Sequence, residues 1–189
     1  MCLDAAVSAL VLVPLFLLLN RCYFHNAKRS ACCFALAVYL SGVFAVVGLP
    51  DIRYIRFDLN FNFIPFRYMF SDFTNSFLNV LLFVPLGFLL PFLWKNFKKI
   101  HRTVLFGFCT SFLIEVLQIF TFRATDINDL MTNTLGTLLG WCIAWLLLRF
   151  VPSIVPSEKT KEVYLVCGMT FLVMFFVQPF LAEWIFLRY

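Results

Sequence analysis

The sequence predicts an all-α fold, a polytopic transmembrane helical bundle of about six spans, and two features lead to this prediction. Of the 189 residues, 62% are hydrophobic and only 13% are charged, whereas a soluble domain carries about 45–50% apolar and about 25% charged residues. The hydrophobic residues also fall into runs of about 20, the length that crosses the hydrocarbon layer as a helix. This composition excludes a soluble monomer. It also excludes a nucleic-acid-binding protein, because the net charge of +5 reflects loop charges in such a chain.

The predicted spans follow from the apolar runs in chain order. They cover residues 3–21, 31–49, 75–94, 103–122, 129–149 and 163–182. Each run is far longer than a membrane β-strand, so we expect its backbone to satisfy its hydrogen bonds within a helix. The first run lacks a basic leader and a small-residue cleavage site, which indicates a retained span. Residues 1–189 are therefore predicted to form a single transmembrane domain.

The loop charges predict which way the spans cross the membrane. Ten of the fifteen Lys and Arg residues lie in the first, third and fifth loops, which hold only two acids, Glu158 and Glu162. The positive-inside rule places these loops in the cytoplasm. With six spans, both the N-terminus and the C-terminus are then predicted to lie outside, together with the second and fourth loops.

Residues 50–74 form an unusually long connection between the second and third spans. Loops of this length in compact proteins are typically functional or disordered, and this one alternates polar and aromatic residues from Arg56 to Phe63. A period of two is typical of an extended segment or a hairpin. We expect it to lie in the outer interface of the membrane, either as an aromatic anchor at the headgroup level or as a lid over an outward-facing site.

Glu115 is the one charged residue that the sequence places in the middle of a span rather than near its ends. Ionisable groups within a membrane are costly, and each is a functional-site candidate by default. Glu115 and Gln118 are three residues apart in the fourth span, so they share one face of that helix. In the predicted orientation the fourth span runs from the cytoplasm to the outside, so Glu115 lies about two-thirds of the way along it towards the outer surface.

A second polar stripe begins after the fourth span. Asp126, Asp129, Asn133, Gly136 and Gly140 follow the three-or-four spacing of one helix face. Part of the stripe has structural explanations: Asp126 suits the N-cap of the fifth span with Asp129 as its capping-box partner, and the two glycines suit close helix packing. The turn before Asp126 is short, so the fourth and fifth spans are expected to be antiparallel neighbours whose polar stripes converge on one outward-facing pocket.

The third span and two arginines extend the predicted pocket. Asn79 lies near the outer end of the third span, in which Pro85 and Pro91 are expected to kink the helix. Arg67 and Arg123 supply cations on the same predicted side. The two histidines both fall in predicted cytoplasmic loops, so a histidine-based site is not expected at this pocket.

Four short motifs, in this order, resemble the VanZ-like family. They are Asn62-Phe-Ile-Pro65-Phe66, Asn79-Val-Leu-Leu-Phe83-Val-Pro85-Leu-Gly87-Phe, Glu115-Val-Leu-Gln118 and Asp126-Ile-Asn-Asp129-Leu-Met-Thr-Asn133-Thr-Leu-Gly136-Thr-Leu-Leu-Gly140. The resemblance covers residues 60–150. Members of the family are small integral membrane proteins of bacteria, and the founding member is associated with low-level resistance to the glycopeptide antibiotic teicoplanin. The resemblance therefore implies a multi-pass protein of the bacterial cytoplasmic (inner) membrane.

Our first functional hypothesis is a binding protein embedded among membrane lipids. Its outward-facing pocket would bind the headgroup of a lipid-linked cell-wall precursor or the glycopeptide antibiotic itself. Amides would orient the ligand, carboxylates would contact its amines, and an arginine would contact a carboxylate or phosphate. The candidate ligand-binding residues are Asn79, Gln118, Asn133, Glu115, Asp126, Asp129, Arg67 and Arg123.

The second hypothesis is an intramembrane enzyme that modifies a lipid-linked cell-envelope substrate. Glu115 and Asp129 are its candidate catalytic acid and base, or the carboxylates would hold a divalent cation such as Mg²⁺ or Ca²⁺. No other cofactor is predicted, and the seven cysteines show no spacing typical of a zinc site. Proton-coupled transport through Glu115 and a purely structural role for the polar residues are the remaining alternatives. The sequence leaves the oligomeric state open.

Overall fold

Helices make up nearly all of the structure. This computed structural model describes residues 2–48, 50, 52–53, 55, 57, 61–62, 64–66, 73–121, 125–150 and 156–186. Within these residues, six helical segments are long and apolar enough to cross a membrane, which confirms the predicted all-α fold with six spans. The helices are α1 Cys2–Leu19, α2 Ala27–Val47, α3 Phe73–Leu93, α4 Ile100–Gln118, α5 Ile127–Phe150, α6 Lys161–Leu172 and α7 Gln178–Phe186.

Two compact units divide the chain. The terminal unit consists of Met1–Arg56 and Lys161–Tyr189, and the central unit consists of Phe57–Thr160. The terminal unit therefore contains α1, α2, α6 and α7, and the central unit contains α3, α4 and α5. The single transmembrane domain expected from the sequence stays a prediction.

In the terminal unit, a tight turn joins α1 to α2. A π-helical turn, Asn20–Phe24, ends at His25, whose φ of 50° is left-handed. Asn26 then caps α2, because its side chain accepts a hydrogen bond from the backbone N–H of Arg29 at 3.1 Å. The turn thereby starts the second span at residue 27 rather than at the predicted residue 31.

A buried ion pair joins α2 to α6 in the same unit. The Arg29 guanidinium donates to one carboxylate oxygen of Glu162 through Nε, at 2.8 Å, and also through a terminal nitrogen. Glu162 is only 2% exposed. The fifth loop was expected to end at Glu162; in the structure this residue is buried in the first turn of α6.

The last span is interrupted by a π-helical turn, Val173–Val177, between α6 and α7. Pro179 explains the interruption, since proline has no backbone N–H to donate to the carbonyl of Phe175, four residues earlier. That carbonyl instead accepts a hydrogen bond from the N–H of Ile52 at 3.4 Å. Arg53 follows and contacts Glu183 of α7, with 2.8 Å between Nη1 and Oε2. The segment after α2 is therefore held against the last span.

In the central unit, α5 packs most extensively against α3 and less extensively against α4. A methyl group added at Gly136 or Gly140 of α5 would overlap a backbone carbonyl oxygen of α3, that of Val80 or Val84. This confirms close packing as the role of the predicted glycine pair, with α3 as the partner. The α3 helix itself continues through Pro85 and Pro91.

The chain after α5 returns to the end of α3. Ser157 donates its N–H to the carbonyl of Leu93 and accepts from the N–H of Lys95. Beside this contact, Nζ of Lys95 lies 2.7 Å from a carboxylate oxygen of Glu158. Both side chains are exposed; their hydrogen bond and charge attraction raise the pKa of Lys95 and lower the pKa of Glu158. The third and fifth loops therefore meet at this end of the central unit.

The long loop at 50–74 contacts the start of α5 through a short parallel pairing. Phe61–Asn62 (β1) pairs with Thr125–Asp126 (β2), with Phe61 opposite Thr125 and Asn62 opposite Asp126. Within the described part of this loop, the extended backbone thus pairs with the chain after α4 and not with itself as a hairpin. Most of the predicted polar and aromatic alternation lies outside the described residues, and the role of the loop as an interfacial anchor or lid stays a prediction.

Candidate functional site

Glu115 lies where α4 ends and the chain turns towards α5. The α4 helix ends at Gln118, so Glu115 is in its last turn and not at the centre of a span. Its side chain is 4% exposed, and Oε2 accepts a hydrogen bond from the backbone N–H of Asp126 at 2.9 Å. The hydroxyl of Thr125 donates to the backbone carbonyl of Glu115 at 3.1 Å. Glu115 therefore holds the chain reversal between the two helices.

Asp126 caps α5 as predicted, but with a different reciprocal partner. Its Oδ1 accepts from the N–H of Asn128 at 2.8 Å, a capping bond to the first turn of the helix. In a capping box, Asp129 would accept from the N–H of Asp126. The structure corrects that expectation, because Glu115 of the preceding helix accepts this bond. The Asp126 carboxylate also accepts from Nδ2 of Asn62, at 3.1 Å to each oxygen.

Asp129 instead links α5 to α3. Its Oδ1 accepts a hydrogen bond from Nδ2 of Asn79 at 2.7 Å. The structure therefore brings together four of the predicted site residues at adjoining ends of three helices: Asn79, Glu115, Asp126 and Asp129. We call these four residues, together with Asn62, the polar cluster.

Below the polar cluster, a second polar layer joins α4 to α5. Asn133 is one helical turn from Asp129, and Ser111 is one turn from Glu115. Nδ2 of Asn133 lies 2.9 Å from the hydroxyl oxygen of Ser111. Asn133 is 3% exposed, and its Oδ1 accepts no hydrogen bond from the described residues. Gln118, the remaining predicted amide, is also buried, in the last turn of α4.

The polar cluster concentrates acidic side chains. It holds three carboxyl groups, which accept hydrogen bonds from backbone N–H groups and from the amides of Asn62 and Asn79. The two predicted cations, Arg67 and Arg123, lie outside the described residues. Such an arrangement suits contact with a cationic amine, because the hydrogen bonds between ions are stronger than those between neutral groups.

Metal binding at the polar cluster has no geometric support in the described part of the chain. No group of three or more His, Cys, Asp or Glu side chains there has a geometry that would hold a metal ion. The divalent cation of the enzymatic hypothesis therefore rests on residue types alone. The cysteines whose side chains are described are free thiols: Cys22, Cys32, Cys33, Cys109, Cys142 and Cys167.

Sequence reasoning missed two asparagines that shape this region. Asn62 was quoted in a motif but not assigned to the site, and it contacts Asp126. Asn128 is buried, and its Oδ1 accepts the N–H of Phe66 at 2.7 Å. That bond holds Phe66 at a φ of 63°, a left-handed conformation that is costly for a residue with a side chain. The available signal was the Asx-rich composition of both segments, since Asn side chains commonly hydrogen-bond nearby backbone.

Comparison with known proteins identifies the family. The sequence model of the VanZ/LLP1 family matches residues 30–149, which is more than half of the chain. The chain belongs to the VanZ/LLP1 family. The match begins within α2 and ends within α5, so the VanZ/LLP1 region contains the whole polar cluster. It also begins earlier than the motifs at 60–150 and includes most of α2.

A relative of this VanZ/LLP1 chain is Protein VanZ from Enterococcus faecium. The two are 34% identical over 110 residues, an alignment that covers 57% of this chain and 64% of the relative. The chain therefore spans less than two thirds of the length of the curated relative it matches. No solved structure matches the chain.

Proposed function

We propose that this chain is a multi-pass protein of the bacterial cytoplasmic membrane that contributes to resistance to glycopeptide antibiotics such as teicoplanin. In this proposal the polar cluster faces outwards and binds the amine-bearing part of the antibiotic or of a lipid-linked cell-wall precursor. Membership of the VanZ/LLP1 family supports the link to resistance. The six apolar helices support the membrane location.

The observation that carries the binding proposal is the convergence of three carboxyl groups at one end of the central unit. Asp129 accepts a hydrogen bond from Asn79 of α3, and Glu115 of α4 accepts one from the backbone N–H of Asp126 at the start of α5. Buried carboxylates are stable only when paired or well hydrogen-bonded. A primary amine supplies both a positive charge and three donors, so it complements this cluster better than a neutral group does.

Asn133 supports the same proposal independently. Its Oδ1 is a buried acceptor one turn below Asp129, without a hydrogen bond from the described residues. Leaving such an acceptor unsatisfied costs about 1–3 kcal/mol. A hydroxyl or amide N–H of a ligand that enters from the side of the polar cluster would satisfy it.

The test measures teicoplanin binding to the full chain in lipid nanodiscs. Glu115→Gln and Asp129→Asn remove a charge but retain an oxygen acceptor for the N–H of Asp126 or the amide of Asn79. We expect each to weaken binding about tenfold or more, because a hydrogen bond to a charged group contributes about 1.5–3 kcal/mol. Glu158→Gln is the matched control, since it removes an exposed carboxylate of the same unit. The teicoplanin susceptibility of cells that express each variant should follow the same order.

The same variants separate binding from catalysis. A binding protein leaves labelled lipid-linked precursor unchanged, whereas an enzyme converts it to a product, and Glu115→Gln abolishes that conversion. Product formation by the wild type would therefore replace the binding proposal with the enzymatic alternative. If both cluster variants bind teicoplanin and the precursor as the wild type does, the polar cluster is not the binding site.

A further inference from the structure

We propose that the central unit carries a second binding site, for the phosphate headgroup of an anionic phospholipid, at the end opposite the polar cluster. A cavity of about 150 Å³ lies there. It is lined by Pro91, Lys98, Trp141, Trp145, Leu148 and Arg149. With a rise of 1.5 Å per residue, Arg149 lies about 30 Å from Asp129 along α5. The two sites are therefore separate.

A column of stacked side chains forms one wall of this cavity. Trp141, Trp145 and Arg149 are four residues apart along α5, so they lie one above another on one helix face. The two indole rings stack with centroids 6.2 Å apart, and the guanidinium carbon of Arg149 lies 3.6 Å from the ring centroid of Trp145. This cation–π contact orients Arg149 and leaves the N–H edge of its guanidinium available for an anion.

Lys98 supplies the second cation from a different element. It ends the short 3₁₀ helix Lys95–Lys98 between α3 and α4. Its backbone carbonyl accepts a hydrogen bond from Nε1 of Trp141 at 3.2 Å, which holds this end of the loop beside α5. Within the described part of the chain, neither Lys98 nor Arg149 has an acidic partner. The acid in the neighbouring loop segment, Glu158, contacts Lys95.

The lining favours a phosphate that is attached to a lipid over a free anion. Two cations on one cavity provide charge and bidentate donors for a phosphate, while Pro91, Leu148 and the indole rings provide apolar walls. Tryptophans at the ends of membrane helices typically lie at the headgroup level. Basic pockets between helices on the cytoplasmic side bind anionic headgroups, and the loop charges predict that this end is cytoplasmic.

Native mass spectrometry of the detergent-solubilised full chain tests the proposal. The probes are phosphatidylglycerol, phosphatidylcholine with the same acyl chains, and inorganic phosphate. The wild type should retain phosphatidylglycerol in preference to phosphatidylcholine, and inorganic phosphate should not displace it. The double variant Lys98→Gln/Arg149→Gln should bind phosphatidylglycerol about tenfold more weakly or worse, because it loses both charge-assisted contacts to the phosphate.

The matched control is Lys99→Gln/Arg102→Gln, which removes two exposed charges from the same region but does not alter the cavity lining. It should retain the wild-type affinity. Equal losses in both double variants would indicate diffuse attraction and overturn the proposal, as would displacement of the lipid by inorganic phosphate. Arg149→Lys provides a second variant: it keeps the charge but loses the planar fork, so its affinity should lie between those of the wild type and the double variant.

Discussion

At the level of single residues, two buried glutamates are stabilised in different ways. Glu115 accepts a backbone N–H that would otherwise lack a partner at the start of α5, whereas Glu162 accepts from the guanidinium of Arg29. Each carboxyl group also joins two helices: Glu115 joins α4 to the start of α5, and Glu162 joins α6 to α2. Burial of these carboxyl groups is therefore coupled to the packing of helices.

The role of Glu115 predicts a difference between two substitutions. Glu115→Ala removes the acceptor for the N–H of Asp126 and should lower the free energy of unfolding by about 1–3 kcal/mol. Glu115→Gln retains an acceptor oxygen and should lower it by less than half as much. Denaturant unfolding in detergent, followed by circular dichroism, measures both. Equal losses would show that the negative charge, and not the hydrogen bond, provides the stabilisation.

The Arg29–Glu162 pair should contribute far more to stability than the Lys95–Glu158 pair. Glu162→Gln removes the carboxylate charge that faces the Arg29 guanidinium, which should lower the free energy of unfolding by about 3 kcal/mol, because breaking a buried ion pair typically costs about 3–5 kcal/mol. Arg29 is 20% exposed, so we expect the lower end of the usual range. The same unfolding measurement on both glutamate variants makes the comparison.

Glu158→Gln is the control for this prediction and should have almost no effect, because both partners are exposed to solvent. The pH dependence of the Lys95–Glu158 contact follows from the two pKa shifts. Its small contribution should disappear as the pH falls through the lowered pKa of Glu158, or rises through the raised pKa of Lys95. A large loss of stability in Glu158→Gln would contradict this account.

At the level of elements, the helices of the central unit approach one another very closely at glycine residues. Gly87 of α3 and Gly107 of α4 both approach Thr137 of α5, and a Cβ at either position would overlap it. Gly140 likewise meets the carbonyl of Val84. The packing of the central unit therefore depends on glycines in all three helices and on Thr137, which contacts both neighbours of α5.

Gly140→Ala should accordingly destabilise the central unit. The added methyl group meets the backbone of α3, which has no rotamer to adjust, and overpacking typically costs about 1–3 kcal/mol. Gly42→Ala in α2 is the matched control, since a Cβ there meets nothing within 4 Å. Alanine is the better helix former by roughly 0.5–1 kcal/mol, so the control should melt slightly higher. A lower melting temperature for Gly42→Ala than for Gly140→Ala would contradict the packing argument.

At the level of the whole molecule, the orientation of the spans determines which site faces outwards. Lys99 and Ile64 are both exposed, in the third loop and in the loop at 50–74 respectively. Because the loop charges predict the third loop to be cytoplasmic, a membrane-impermeant maleimide should label Ile64→Cys in intact cells and leave Lys99→Cys unlabelled.

The wild-type chain provides the background for this labelling, since some native cysteines are exposed. Cells opened by detergent provide the second control, in which Lys99→Cys should become reactive. Labelling of Lys99→Cys in intact cells would reverse the orientation. The polar cluster would then face the cytoplasm, and the proposed outward-facing site would be wrong.

The sequence by itself determined the class of protein and the identity of most cluster residues. Runs of about 20 apolar residues allow only helices in a membrane, and a polar residue within such a run needs a partner. Those rules depend on composition and spacing alone, so the six spans, the α5 cap at Asp126 and the glycine pair were all predictable.

The tertiary structure decided which residues meet. Glu115 contacts Asp126 because α4 ends at Gln118, and Asn62 contacts Asp126 through a parallel pairing of two segments 64 positions apart. Asp129 accepts a hydrogen bond from Asn79 of α3, and Glu162, in the first turn of α6, pairs with Arg29 of α2. Local patterns do not encode such contacts, because the choice of partner depends on the three-dimensional packing of helices that are remote in the chain.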